Sequence, residues 1–217
     1  MSEHDFARMR KAMVESQLRT SDVNDPAIIA AMASVPRERF AAESLIDVAY
    51  MDRSLPLSAD RALSPPLALG RLLVEAGPVA DDKVLIIGVA TGYSAAVLAP
   101  LVKSVTALES DDALVGTARD RLSGLANVTV HQGALTEGVA SAAPYSLILI
   151  DGAVELVPDA LLAQLGDGGR LVTGLADGAV TRLAIGRKAG DGFGLKVFAD
   201  CEIPALAAFA KERSFHF

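Results

Sequence analysis

Glu109 stands 21 residues after Gly88, and Gly88 and Gly92 bracket the turn Gly88-Val89-Ala90-Thr91-Gly92 that follows the apolar run Val84-Leu85-Ile86-Ile87. Glycines in such a turn let backbone amides come close to a ligand. A carboxylate about 20 residues further on, at the end of the next apolar run, can accept both hydroxyls of a ribose. These residue types at this spacing suit the binding of an adenosine-containing ligand. The bland alternative is a tight turn followed by a surface glutamate. NAD-type sites need glycines fitted to a pyrophosphate, and this turn meets that pattern poorly. S-adenosylmethionine has no phosphate to grip, so the looser pattern serves it.

Other chemistry has less support in the chain. His4, His131 and His216 have no nucleophile or acid at a useful spacing, and no metal-ligand set stands out. Cys201 is the single cysteine, which excludes an internal disulfide and suits the cytosol. It sits in a strand-like run and reads as buried filler.

The elements that must position Gly88, Gly92 and Glu109 are visible as a change of pattern near residue 78. Before it, residues 3–19 read as a helix with Phe6, Met9 and Met13 near helical spacing. Asp25-Pro26 is a helix start, with Asp as cap and Pro in the first turn. Residues 44–63 look irregular, and Ser64-Pro65-Pro66 opens a helix that stops near Gly77-Pro78. After residue 78, strand-like runs at 83–87, 104–108, 127–131, 146–151, 170–173, 181–187 and 195–200 alternate with helical runs at 92–101, 111–123, 135–141 and 157–165. Such alternation predicts a parallel sheet covered on both faces. The last two strands have only Gly190-Asp191-Gly192 between them, which predicts a terminal antiparallel hairpin. The expected organisation is an N-terminal helical cap with a substrate loop over 1–77 and a cofactor-binding α/β core over 78–217, forming one compact unit.

Composition narrows the classes further. Hydrophobic residues make up 51% of the 217 and charged residues 22%, which suits a well-packed core. Mean hydropathy is high at +0.36, yet no uncharged apolar run reaches the ~18 residues a membrane span needs. The N-terminal residues Met1 to Asp5 are polar and lack a signal-peptide core. The net charge of −7 argues against a nucleic-acid surface. Neither a membrane nor a nucleic acid is therefore expected as a partner, and the cytoplasm is the expected compartment. The apolar fraction is compatible with a homo-oligomer and equally with a buried sheet.

At this point the chain resembles the protein-L-isoaspartate O-methyltransferases, nearly end to end. Met13-Val14-Glu15-Ser16-Gln17-Leu18 is similar to the family's N-terminal helix, and Val35-Pro36-Arg37-Glu38-Arg39-Phe40 to its "VPRExF" segment. Ala49-Tyr50-Met51-Asp52-Arg53-Ser54-Leu55-Pro56 is similar to "AYxDxxLP", and Val84 to Leu98 to "VLEIGTGSGYQAAVL". The resemblance implies a Rossmann-like class I methyltransferase sheet. It also implies methyl transfer from S-adenosylmethionine to the free α-carboxylate of L-isoaspartyl residues in damaged proteins. Gly88, Ala90, Gly92, Glu109, Gly133 and Ala134 are the implied cofactor-binding positions. Ser64 is the implied catalytic and substrate-holding residue, beside Arg61 and Asp151.

Several family positions are altered. The family's motif acid is Ile86, the third residue of its Gly-x-Gly-x-Gly turn is Ala90, and its "GDG" reads Gly133-Ala134-Leu135. If position 90 needs φ > 0, alanine costs about 1–2 kcal/mol there. Gln132 and amides near Leu135 are candidates to read the adenine instead. The family's "GQTISQP" reads Ala59-Asp60-Arg61-Ala62-Leu63-Ser64-Pro65-Pro66. Arg61 is either a two-pronged carboxylate ligand or a solvated arginine, and Ser64 either holds substrate or caps the next helix. Asp151 either repels an anionic acceptor, serves a different acceptor as base or cation ligand, or caps a turn before Gly152. Three readings follow: an isoaspartyl methyltransferase, a methyltransferase of the same lineage with another acceptor, and a non-catalytic paralogue that has lost its cofactor.

Overall fold

The computed structural model describes residues 2–211, so His216 lies outside the described residues. Helix α1 covers Glu3–Met13 and begins with a reciprocal cap, in which the Ser2 hydroxyl accepts from the Asp5 amide while Asp5 accepts from the Ser2 amide. It does not run on regularly to residue 19. Residues Val14–Leu18 form a widened π turn, Arg19–Ser21 a 3-10 turn, and Asp22 ends the run in the left-handed region at φ 66°. The widening turns Met13, Val14 and Leu18 into the core and lets Gln17 Nε2 donate to the Tyr50 carbonyl at 3.0 Å. Helix α2 (Pro26–Ser34) starts as the sequence predicts, with Asp25 accepting from the Ala27 and Ile28 amides.

The stretch read as irregular carries two short strands, β1 (Leu55–Pro56) and β2 (Ala62–Leu63), paired antiparallel around the loop that holds Arg61. Helix α3 (Pro66–Ala76) follows. Ser64 does not cap it; Asp52 Oδ1 accepts from the Leu67 amide at 3.0 Å instead.

From here strands and helices alternate: β3 (Lys83–Ile87), α4 (Tyr93–Leu98), β4 (Ser104–Glu109), α5 (Asp112–Leu122), β5 (Val128–Gln132), β6 (Tyr145–Val154), α6 (Asp159–Gln164), β7 (Leu165–Asp177), β8 (Val180–Ala189) and β9 (Gly192–Asp200). The seven-stranded sheet has the order β5-β4-β3-β6-β7-β8-β9. The five strands β5 to β7 are mutually parallel, and β7, β8 and β9 pair antiparallel. This is the expected Rossmann-like methyltransferase sheet with its C-terminal hairpin. The helix expected over 135–141 is absent. Gly138 turns the chain at φ 65°, and Gln164 holds the loop by accepting from the Val139 amide and donating to the Glu137 carbonyl.

The central strands bury both faces. Val84, Ile86, Leu147 and Leu149 join a core shared with Met13, Ile28, Leu69 and Leu72, while Leu85, Ile87, Ile148 and Ile150 face Leu161, Leu206 and Phe209. Continuous apolar strands are what a doubly covered parallel sheet requires. Because β4 follows β3 on one side and β6 lies on the other, the C-terminal ends of β3 and β6 form the switch point where ligands bind in such sheets.

At the opposite end of the strands a buried ion pair ties the layers. Arg170 in β7 reaches Asp82 (Nη1 to Oδ1, 3.0 Å) and donates to the carbonyls of Ala76, Gly77 and Ser146. Burial raises the Asp82 pKa, but Arg170, the Ser146 hydroxyl and the Val79 amide outweigh it and hold the carboxyl below its ordinary value. Removing one partner strands the other in the interior. Arg170→Ala should therefore lower stability by about 3–5 kcal/mol, read as a drop in the denaturant midpoint.

Candidate functional site: the cleft at the ends of β3, β4 and β6

The turn after β3 is fixed by the strand beside it. The Gly88 and Val89 amides donate to the Leu108 carbonyl at 2.9 and 3.1 Å. Gly88 (φ 74°), Ala90 (φ 52°) and Gly92 (φ 104°) all lie in the left-handed region. Position 90 is thus one that favours glycine, and alanine occupies it under strain. Thr91 Oγ1 donates to the Phe40 carbonyl at 2.6 Å, anchoring the turn to the N-terminal segments. Ile86, in the place of the family acid, is fully buried in the apolar core.

Glu109 ends β4 with its side chain completely buried. Its Oε2 accepts from the Ala90 amide at 2.8 Å, and its Oε1 from the Ser110 and Asp111 amides at 2.8 and 3.2 Å. Arg61 forks onto the same carboxylate, Nη2 to Oε2 at 2.8 Å and Nε to Oε1 at 3.2 Å. Arg61 is therefore buried, at 7% exposure, and the solvated-arginine alternative is wrong. Burial pushes the Glu109 pKa up; Arg61 and the two amides outweigh it and hold the carboxyl below its usual value.

A second buried pair lies beside it. Ser64 Oγ donates to Asp151 Oδ1 at 2.6 Å, joining the substrate loop to β6. Asp151 does not cap a turn, because β6 continues to Val154. The loop is further held by Arg37, fully buried, which donates to the Ala49 and Ser64 carbonyls at 2.7 and 2.6 Å. Gly133 follows β5 with its amide on the Glu109 carbonyl, and Ala134 lies in the same loop. Gln132 Nε2 donates to Asp112 at the exposed edge of the same loop.

The chain after β9 returns across the end of β6: the Ala153 amide donates to the Pro204 carbonyl at 2.7 Å and the Leu206 amide to the Ala153 carbonyl at 2.8 Å. Leu206 then packs over two glycines. A Cβ on Gly152 would lie 2.6 Å from Leu206 Cγ, and one on Gly88 would lie 3.4 Å from Leu206 Cδ1 and 2.7 Å from Arg61 Nη2. Among the described residues no group of His, Cys, Asp and Glu could hold a metal ion.

The family model for protein-L-isoaspartate(D-aspartate) O-methyltransferase matches residues 8–201. The chain belongs to this family. A protein-L-isoaspartate O-methyltransferase of Koribacter versatilis is 37% identical over 185 residues, covering 84% of this chain and 83% of the relative. One of Rhodopseudomonas palustris is 41% identical over 163 residues, covering 74% of each. A solved protein-L-isoaspartate O-methyltransferase superposes with a TM-score of 0.79 at 23% identity, over 90% of this chain and 65% of that one. The Plasmodium falciparum structure, described as a putative family member in complex with S-adenosyl-L-homocysteine, gives 0.75 at 17% identity over 92% of this chain and 98% of that one. At these identities the two structures bear on the fold alone.

The family's cofactor carries a ribose, and the cleft holds the parts that bind one. Glu109, the amide-lined turn and the glycines are the parts that hold a ribose-bearing ligand. Arg61 occupies the carboxylate that ribose hydroxyls would use, and Leu206 lies against Gly88.

Two outcomes follow from these contacts. Ala90→Gly should raise stability by about 1 kcal/mol by relieving the left-handed alanine, read in a denaturant titration. Because the folded-state pKa of Glu109 is depressed, its contribution is full above the unfolded value of about 4.3 and is lost as pH falls through the lower folded value. Glu109→Gln should flatten that acid limb of the stability–pH curve.

Proposed function

We propose that this chain transfers a methyl group from S-adenosylmethionine to the free α-carboxylate of L-isoaspartyl residues in damaged proteins. The observation that carries this reading is the family match over residues 8–201 together with Glu109 at the end of β4, where a ribose clamp belongs. The cofactor supplies an electrophilic methyl group. The acceptor is a carboxylate, ionised at neutral pH, so no activated serine or cysteine is needed and alignment is the main task. Ser64 and Asp151 are the residues we assign to the acceptor side. The Asp151 carboxylate holds the Ser64 hydroxyl in place and sets a negative charge near the incoming carboxylate. Gly88, Ala90, Gly92, Gly133 and Ala134 line the cofactor side.

Isoaspartyl-bearing proteins and peptides are the proposed partners. The cytoplasm is the proposed compartment, supported by the lone Cys201, whose thiol burial and nearby Asp52 push up to about 11. No helix among the described residues is long and apolar enough to cross a membrane.

Labelled methyl transfer to an isoaspartyl peptide, set against the same peptide with normal aspartate, tests the reading. Label on the isoaspartyl peptide alone supports it; label on neither, with cofactor bound, contradicts it. Asp151→Asn keeps the bond to Ser64 and removes a like charge, so KM for the isoaspartyl peptide should fall about tenfold. Loss of transfer in that variant would instead make Asp151 a base for a different acceptor.

A further inference from the structure

Glu109 has no capacity left for a ligand. A carboxylate offers about four lone-pair sites, and five donors already converge on it: the Ala90, Ser110 and Asp111 amides and two nitrogens of Arg61. The three amides belong to the turn and the strand end and cannot leave without unmaking them. Only the guanidinium is carried by a side chain on a separate loop. That loop, between β1 and β2, is held by its backbone, with the Leu57 and Ser58 amides donating to the Arg61 carbonyl at 2.9 and 3.1 Å. The Arg61 side chain can therefore swing while the loop stays.

The space around the guanidinium is divided. On one side lies a cavity of about 160 Å³ between Ser110, Leu135, Leu206 and Ala208. On the other lies one of about 310 Å³ between Pro56, Ser58, Pro204 and Ala205. Asp60, Arg61 and Ala207 line both, and a third cavity of about 250 Å³ adjoins Arg61 between Ser58, Ser110 and Asp111. The smallest is below the ~300–1,000 Å³ of ordinary small-molecule sites. Leu206 closes the floor by lying on Gly88 and Gly152, the two positions whose missing side chains leave room there.

We propose that Arg61 and Leu206 form a latch that shuts the cofactor cleft of the free chain, so that cofactor binds only after Arg61 leaves Glu109. This rests on the reading of Glu109 as the ribose clamp. Arg61 puts two N–H donors on the carboxylate that a ribose would use, and its positive charge makes each bond stronger than a neutral hydroxyl's. The latch lowers apparent affinity by the fraction of molecules that are open. Leu206 adds a second barrier by filling the space above Gly88 and Gly152 at the switch point.

Calorimetric titration of the full chain with S-adenosylhomocysteine and its 2′-deoxy analogue tests the latch without reference to turnover. Arg61→Gln should bind S-adenosylhomocysteine about 10- to 100-fold more tightly than the unaltered chain, and the gain should shrink for the analogue lacking a ribose hydroxyl. Leu206→Ala leaves the ion pair in place and should tighten binding by about three- to tenfold; it answers the question if Arg61→Gln fails to fold, as checked by circular dichroism. Equal or weaker binding in both folded variants, or no binding by either at millimolar ligand, overturns the proposal. Tighter binding without isoaspartyl methylation would leave the latch standing and contradict the repair reading. Unchanged binding with methylation intact would do the reverse.

Discussion

The buried carboxylate of Glu109 is the point on which the cleft depends. It is fully removed from water, and an uncompensated charge there would be prohibitive. Three amides and one guanidinium compensate it, from three parts of the site: Ala90 from the turn after β3, Ser110 and Asp111 from the link between β4 and α5, and Arg61 from the loop between β1 and β2. A single charge thereby sets the relative positions of the glycine turn, two strand ends and the N-terminal loop. The same carboxylate is the group a ribose needs, so structural and binding roles compete for one set of lone pairs.

That competition gives physical sense to the residues that depart from the family pattern. With Ile86 buried among apolar neighbours, one acid of the family's motif is gone. Arg61 meets Glu109 as its ion-pair partner. Ala90 keeps the left-handed turn at φ 52° at a cost of about 1–2 kcal/mol, and its amide is one of the donors to Glu109. The strain is maintained by the surrounding hydrogen bonds, as expected where neighbouring structure over-determines a backbone conformation.

What could be read from the chain follows the range of the interactions. Periodicity within a strand or helix is local, so the two-faced apolar strands, the Asp25 cap and the terminal hairpin were legible. Glu109 at a strand end is legible for the same reason, while the left-handed backbone at Ala90 is suggested only by resemblance to the family's glycine at that place. The pairs that define the closed cleft are not local. Arg61 meets Glu109 across 48 positions and Ser64 meets Asp151 across 87, and no spacing rule links them. Leu206 gave no signal of its own; the available hint was that Gly88 and Gly152 both lack a side chain at the cleft floor. The widened turn at Val14–Leu18 was missed because a helix that shifts by one residue keeps nearly the same apolar spacing.

The central claim is that one carboxylate serves both the latch and the cofactor. A crystal structure of the unaltered chain grown with saturating S-adenosylhomocysteine tests it most directly. The account predicts the ribose hydroxyls on Glu109, with the Arg61 guanidinium turned away and Leu206 lifted from Gly88. Ligand bound while Arg61 remains forked onto Glu109 would contradict it.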